Sequence, residues 1–109
     1  MNKEELKDYI ISQLEEMKIE DIISIDTSKI SSIADQIIIG NGRSGKHIES
    51  SIETLKINLK NEQGIESTVN GTANDGWIIL DLGNTIVHLF VPAVRDIYKL
   101  EELFQIKNK

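Results

Sequence analysis

The sequence predicts an α/β (α+β) fold: a small mixed β-sheet of about five strands flanked by helices, in the order α-β-β-α-β-β-β-α. Three observations predict it. Two stretches, Lys3 to Met17 and Ser44 to about Asn61, repeat apolar residues at helical spacing. Short apolar or alternating runs rich in isoleucine and valine lie between and after them, as strands require. A two-residue turn with glycine first, Gly83-Asn84, joins the last two runs into a hairpin that passes into a third helix at Pro92.

In the first helix Leu6, Ile10, Leu14 and Met17 form the apolar stripe, and acids crowd the start, where the helix dipole favours them. Asp21 to Asp26 is a short strand, and Ser28 to Ala34 a turn or a single helical turn. Gln36 to Ile39 reads as an apolar run bounded by Gly40, suited to a buried central strand. Gly40 to Gly45 is a loop. Ser44 caps the second helix, whose core stripe is Ile48, Ile52, Leu55 and Leu59, and Gly64 ends it. Ile65, Ser67 and Val69 alternate as a strand, and Asn70 to Asp75 is a polar loop. A parallel crossover follows if the strands on either side of the second helix share one sheet.

The hairpin turn fixes the register. Leu82 faces Thr85, Asp81 faces Ile86, Leu80 faces Val87, Ile79 faces His88, Ile78 faces Leu89 and Trp77 faces Phe90. Alternation then sorts two faces. Ile78, Leu80, Leu82, Val87 and Leu89 make an apolar core face. Trp77, Ile79, Asp81, Ile86, His88 and Phe90 make a mixed, aromatic one. Val94, Ile97 and Tyr98, then Leu100, Leu103 and Phe104, continue an apolar stripe, and residues 105–109 are expected to fray.

With 109 residues, 39% hydrophobic and 28% charged, residues 1–109 read as a single folding domain. No apolar run reaches the length of a membrane span, and the charged start lacks a signal-peptide core, so a cytoplasmic location is expected. There is no cysteine, which removes disulfides, thiolate nucleophiles and cysteine-based zinc sites. The net charge of −6 disfavours broad contact with a phosphate backbone and suits a basic protein partner or simple solubility.

Three signals look like chemistry. Gly40-Asn41-Gly42-Arg43-Ser44-Gly45 spells G-x-G-x-x-G between a strand and a helix, with Glu62 where a ribose acid could fall. A full dinucleotide fold needs two such halves, and the bland alternative is a polar turn ending in a helix cap. The same loop, Gly40 to Lys46, nearly makes a P-loop, but His47 stands where a hydroxyl should hold magnesium. Asp81 and His88 share a sheet face, and such a pair could orient a general base. No nucleophile is obviously placed beside it, and zinc normally takes three or four protein ligands. No metal or cofactor site is therefore assigned.

The aromatic face suits docking. Trp, Tyr and Arg are enriched among binding hot spots, and Arg95 and Tyr98 on the third helix could extend the patch. If a helix covers this face instead, Trp77 belongs to the core.

A long ordered series of residues resembles the ribosomal silencing factors of the Iojap family over nearly the whole chain. Ile25-Asp26 and Ser31-Ser32-Ile33-Ala34-Asp35 match its approach to the second strand. Arg43 to His47 matches its small polar loop ending in Arg-His, with Lys46 where arginine is usual. Gly76-Trp77, Asp81, Gly83, Val87-His88, Phe90 and Pro92 match its hairpin, and Arg95, Tyr98, Leu100-Glu101 and Leu103 its last helix. Phe104 stands where tryptophan is usual.

The resemblance implies a nucleotidyltransferase-like fold without the enzyme. Such enzymes hold two metals on paired carboxylates, often Asp-x-Asp, and no two acids here stand at i and i+2. It implies a non-enzymatic repressor of translation that binds the large ribosomal subunit through its protein fourteen and blocks subunit joining. A part in large-subunit biogenesis, a homodimer when free, and no sequence-specific nucleic-acid contact go with it. The expected partner-binding residues are Trp77, Asp81, Leu82, Gly83, Asn84, His88, Phe90, Arg95 and Tyr98. Trp77 and Phe90 would supply apolar anchoring, and His88, Arg95 and Tyr98 a polar rim. The rival is a nucleotide-binding or nucleotidyltransferase-like enzyme using the Gly40 to Lys46 loop; a third possibility is a plain dimeric adaptor for another basic partner.

Overall fold

Asn2 starts the first helix by a reciprocal cap: its side chain accepts the Glu5 N–H, and the Glu5 carboxylate accepts the Asn2 N–H. In a computed structural model of the chain, residues 1–30, 32 and 34–98 are described, with the backbone alone at 97 and 98. Helix α1 (Lys3–Glu16) is followed by β1 (Glu20–Asp26), β2 (Gln36–Asn41) and α2 (Gly45–Gln63). Then come β3 (Thr68–Thr72), a 3₁₀ turn (Ala73–Asp75), β4 (Trp77–Asp81), β5 (Thr85–Phe90) and α3 (Pro92–Tyr98). The element order is the predicted one. The stripe residues Leu100, Leu103 and Phe104, the tail 105–109, and Ser31 and Ile33 lie outside the described residues.

The five strands form one sheet in the order β1-β2-β5-β4-β3. β2 and β5 run parallel and the other pairs antiparallel, so the sheet is mixed as expected. β3 therefore runs parallel to β2 within the same sheet, with β5 and β4 between them. The hairpin register agrees with the sequence reading pair by pair, from Trp77–Phe90 to Asp81–Ile86. Gly83 has φ +94°, which supplies the left-handed first position that the turn demands.

Three local expectations need correction. Asn70, Gly71 and Thr72, expected in a polar loop, complete β3. Gly40 belongs to β2 rather than to the loop. The strand expected from Ile65 begins at Thr68 instead, because Ile65 closes α2: its N–H reaches Leu59 O at 3.0 Å beside the left-handed Gly64.

Both long helices pack on one side of the sheet. Leu6, Ile10 and Leu14 of α1 and Ile48, Ile52, Leu55 and Leu59 of α2 meet Ile38, Ile78, Leu80, Val87 and Leu89. Each Leu or Ile fully buried there contributes about 1.5–3 kcal/mol. The other side is thinner: Ile25, Ile37, Ile39 and Phe90 cluster with Ile23, Trp77 and Val94. Among the described residues no helix is long and apolar enough to cross a membrane.

Candidate docking face

The hairpin turns Trp77, Ile79, Asp81, Ile86, His88 and Phe90 to the side away from α1 and α2, as alternation predicts. Their exposure differs from the expectation. Phe90 is fully buried and cannot be a surface anchor. The chain folds back after β5, so that Val94 of α3 packs into the cluster with Phe90, Ile39 and Ile25. Trp77 lies over the same ring, stacked at 5.0 Å between centroids and 26° between planes.

His88 is also buried, contrary to its assignment to a polar rim. Its Nδ1 accepts the Trp77 Nε1–H at 3.1 Å. That bond leaves the ring proton of the neutral form on Nε2. Burial pushes the imidazole down to about 4, so the ring is neutral at ordinary pH. The Asp81–His88 pair gives way to two other bonds, since Asp81 Oδ1 accepts the Gly83 N–H at 2.8 Å.

Arg95 is the third correction. Only 8% exposed, it is a tie between elements rather than a rim charge. One guanidinium nitrogen donates to Asp21 O at 2.7 Å and to Asn41 Oδ1 at 2.9 Å. Acceptors at one end of β1 and β2 thus draw it under α3. Tyr98 is the last residue of α3, and its side chain lies outside the described residues.

Half-buried positions on this face are Trp77, Ile79, Asp81 and Ile86. At the tip, Gly83 and Asn84 are exposed, and half-buried Leu82 packs against the helical core. The tip is fixed from both sides. Leu82 N donates to Thr85 O at 2.9 Å, and Asn84 O accepts from Asp35 N at 2.7 Å. Ile79 and Ile86 were not singled out in the sequence, though the same alternation carries them. They supply the apolar area that Phe90 withholds.

The family "Ribosomal silencing factor during starvation", RsfS, matches residues 1–109. The chain belongs to the RsfS family. The ribosomal silencing factor RsfS of Chromobacterium violaceum is 33% identical over 105 residues, 95% of this chain and 85% of that protein. The RsfS of Bacillus subtilis is 30% identical over 105 residues, 95% of this chain and 88% of its own length. A mouse protein named for mitochondrial assembly of the ribosomal large subunit is 28% identical over 104 residues, 93% of this chain and 46% of that protein. Among solved structures, a crystal structure of a Chromobacterium violaceum protein superposes with a TM-score of 0.90 at 33% identity, covering 96% of this chain and 88% of that one.

In this RsfS-family chain the glycines of the G-x-G-x-x-G loop have internal causes. A Cβ on Gly40 would lie 2.5 Å from Ile19 Cγ2, and one on Gly42 2.5 Å from Ile48 Cγ2. A Cβ on Gly45 would lie 2.1 Å from Ala73 O. Three of the loop's backbone donors are engaged internally: Gly42 N meets Phe90 O at 2.8 Å, Arg43 N meets His47 Nδ1 at 2.9 Å, and His47 N meets Ser44 Oγ at 3.1 Å. His47 Nε2 in turn meets Met17 O at 2.7 Å, so the imidazole joins this loop to the end of α1. Among the described residues no group of three His, Asp or Glu could hold a metal ion.

Proposed function

We propose that this chain represses translation by binding the large ribosomal subunit at its protein fourteen and sterically blocking the small subunit from joining. Membership of the RsfS family along all 109 residues carries the reading. A part in large-subunit biogenesis is a natural companion, given the assembly role in the name of the mouse relative. The mechanism needs no bond-making chemistry: occupying the partner protein removes a contact that joining requires. The proposed setting is cytoplasmic, with a homodimer as the free form.

On this reading Trp77, Ile79 and Ile86 form the apolar centre of the contact. Asp81 faces basic groups of the partner, Leu82, Gly83 and Asn84 shape the tip, and Tyr98 of α3 joins the contact. Phe90, His88 and Arg95 act from beneath by holding that surface in shape. The test is sedimentation of the protein with purified large and small subunits, scored separately. Wild type should travel with large subunits alone. Trp77→Ala and Asp81→Lys should each weaken that association, by about 2 kcal/mol or more where the truncated residue is a central hot spot. Unchanged binding by both folded variants would remove this face from the contact.

A further inference from the structure

The two edges of the sheet are built differently. Edge strand β1 is guarded: it carries Glu20, Asp21 and Asp26, and its register shifts between Glu20 and Ile23. Edge strand β3, Thr-Val-Asn-Gly-Thr, has neither charge nor proline, pairs with β4 in unbroken register, and is exposed at all five residues. Hydrogen-bond alternation shows what it offers. Leu82 N bonds Thr85 O, so Leu82, Leu80 and Ile78 bond to β5, while Asp81, Ile79 and Trp77 turn their backbone groups to β3. These meet Thr68, Asn70 and Thr72. The N–H and C=O of Val69 therefore point outward from the sheet.

Beside this edge runs a cleft of about 260 Å³ between β3 and α2, lined by Glu49, Ile52, Glu53, Lys56, Val69 and Ile78 among others. It adjoins a second hollow of about 340 Å³ beside Ile57, which shares Glu53 and Lys56. Of the three large apolar side chains exposed among the described residues, two, Ile57 at 57% and Val69 at 36%, border this groove. Lys60 is paired with Glu66 at 3.2 Å, so Glu49 and Glu53 outweigh Lys56 at the rim, on a chain of net charge −6. Val69 shares its sheet face with Leu80, the face opposite Trp77, so the groove and the aromatic face can be occupied together.

We infer that the α2–β3 groove is a second docking surface, which takes an extended peptide segment of alternating basic and apolar residues by strand addition to β3. Backbone pairing with Val69 would supply affinity, and the basic side chains, which alternation puts on one face of the segment, would turn into the cleft, their aliphatic stems along Val69 and their ammonium groups at Glu49 and Glu53. The probe is a capped peptide of alternating lysine and valine, about ten residues long, compared with its glutamate–valine counterpart by amide chemical shifts of the labelled protein. The lysine–valine peptide should shift Val69, Gly71 and the α2 residues of the groove, and the glutamate–valine peptide should not. Val69→Pro removes an outward donor without touching the β3–β4 ladder and should abolish binding. If that variant does not fold, the double change Glu49→Lys and Glu53→Lys decides, with an expected weakening of roughly tenfold. Equal binding of the two peptides, indifference to the variants, shifts confined to the Trp77 face, or no binding at all would overturn the inference. So would a homodimer that Val69→Pro dissociates, since a second copy would then be the occupant.

Discussion

Acidifying the protein between 6.5, the ordinary value of a histidine, and about 4, the value of folded His88, should cost it a large part of its stability through that one ring. The imidazole is buried and neutral, and its Nδ1 is committed to the Trp77 N–H. In the unfolded chain it takes up a proton at about 6.5, in the folded chain only near 4. Between those values the unfolded state holds more protons, so stability falls as pH is lowered through the window and levels off below it. At about 1.4 kcal/mol per pH unit the whole window is worth about 3 kcal/mol, against a total of roughly 5–15 kcal/mol for an ordinary domain. Asp26 acts elsewhere. Bonds from Ser28 and Lys3 hold its carboxyl below the ordinary 3.8, so its contribution is present above that value and lost only below it. Urea unfolding followed by the fluorescence of the single tryptophan, at closely spaced pH values, measures the slope. His88→Phe keeps an aromatic ring and should flatten it. Binding to large subunits should weaken only as the pH nears about 4, where the folded ring itself is protonated and Nδ1 releases Trp77. Parallel pH profiles of wild type and variant, or a ring that titrates near 6.5 by NMR, would refute the reasoning.

Three further outcomes are expected. Gly45→Ala drives a methyl into the Ala73 carbonyl, a backbone group with little room to yield, and should lower stability by about 1–3 kcal/mol in urea. Arg95→Met should cost about 1.5–3 kcal/mol by removing a charged donor from Asp21 O and Asn41 Oδ1; a neutral result would mean the contact is decorative. ATP, GTP or NAD, with or without magnesium, should leave the melting temperature unmoved, whereas a ligand at a hundred times its Kd stabilises by about 2.7 kcal/mol; a shift sensitive to Lys46→Ala would revive the nucleotide reading.

The hairpin was readable residue by residue because its turn has one good solution: glycine at the first position sets φ, φ sets the strand pairing, and pairing sets the faces. The boundaries of α2 were readable for a similar reason, since the Ser44 hydroxyl and the left-handed Gly64 satisfy its orphan backbone groups locally. Burial on the aromatic face was not. Alternation assigns Phe90 to a side of the sheet but says nothing about what folds over that side, and Val94 arrives through tertiary packing. Arg95 illustrates the same limit, for its partners stand 74 and 54 positions away in the chain. The glycine loop was hard to read because G-x-G-x-x-G has one spelling for several close approaches. Here Gly45 meets the Ala73 carbonyl, and Gly40 and Gly42 meet the side chains of Ile19 and Ile48.

The corrected burial strengthens the case for docking through Trp77. A long aromatic side chain that is free to rotate loses about 0.5–1.5 kcal/mol when a partner fixes it. Here the ring lies on buried Phe90 and its N–H is held by His88, so folding has already fixed it. Phe90 is held in turn by Ile39 of the neighbouring strand and by Val94 of α3. Arg95 ties α3 to the end of β1 and to Asn41 at the end of β2. Phe90, His88 and Arg95, buried rather than in the predicted contact, therefore form a chain of supports ending at the one half-exposed indole. A contact made by such a side chain keeps more of its burial energy as affinity. Loosening a support without touching the surface should weaken binding: Arg95→Met, folded and with Trp77 intact, should release large subunits faster than wild type. Equal dissociation rates would mean that the indole holds its position without α3.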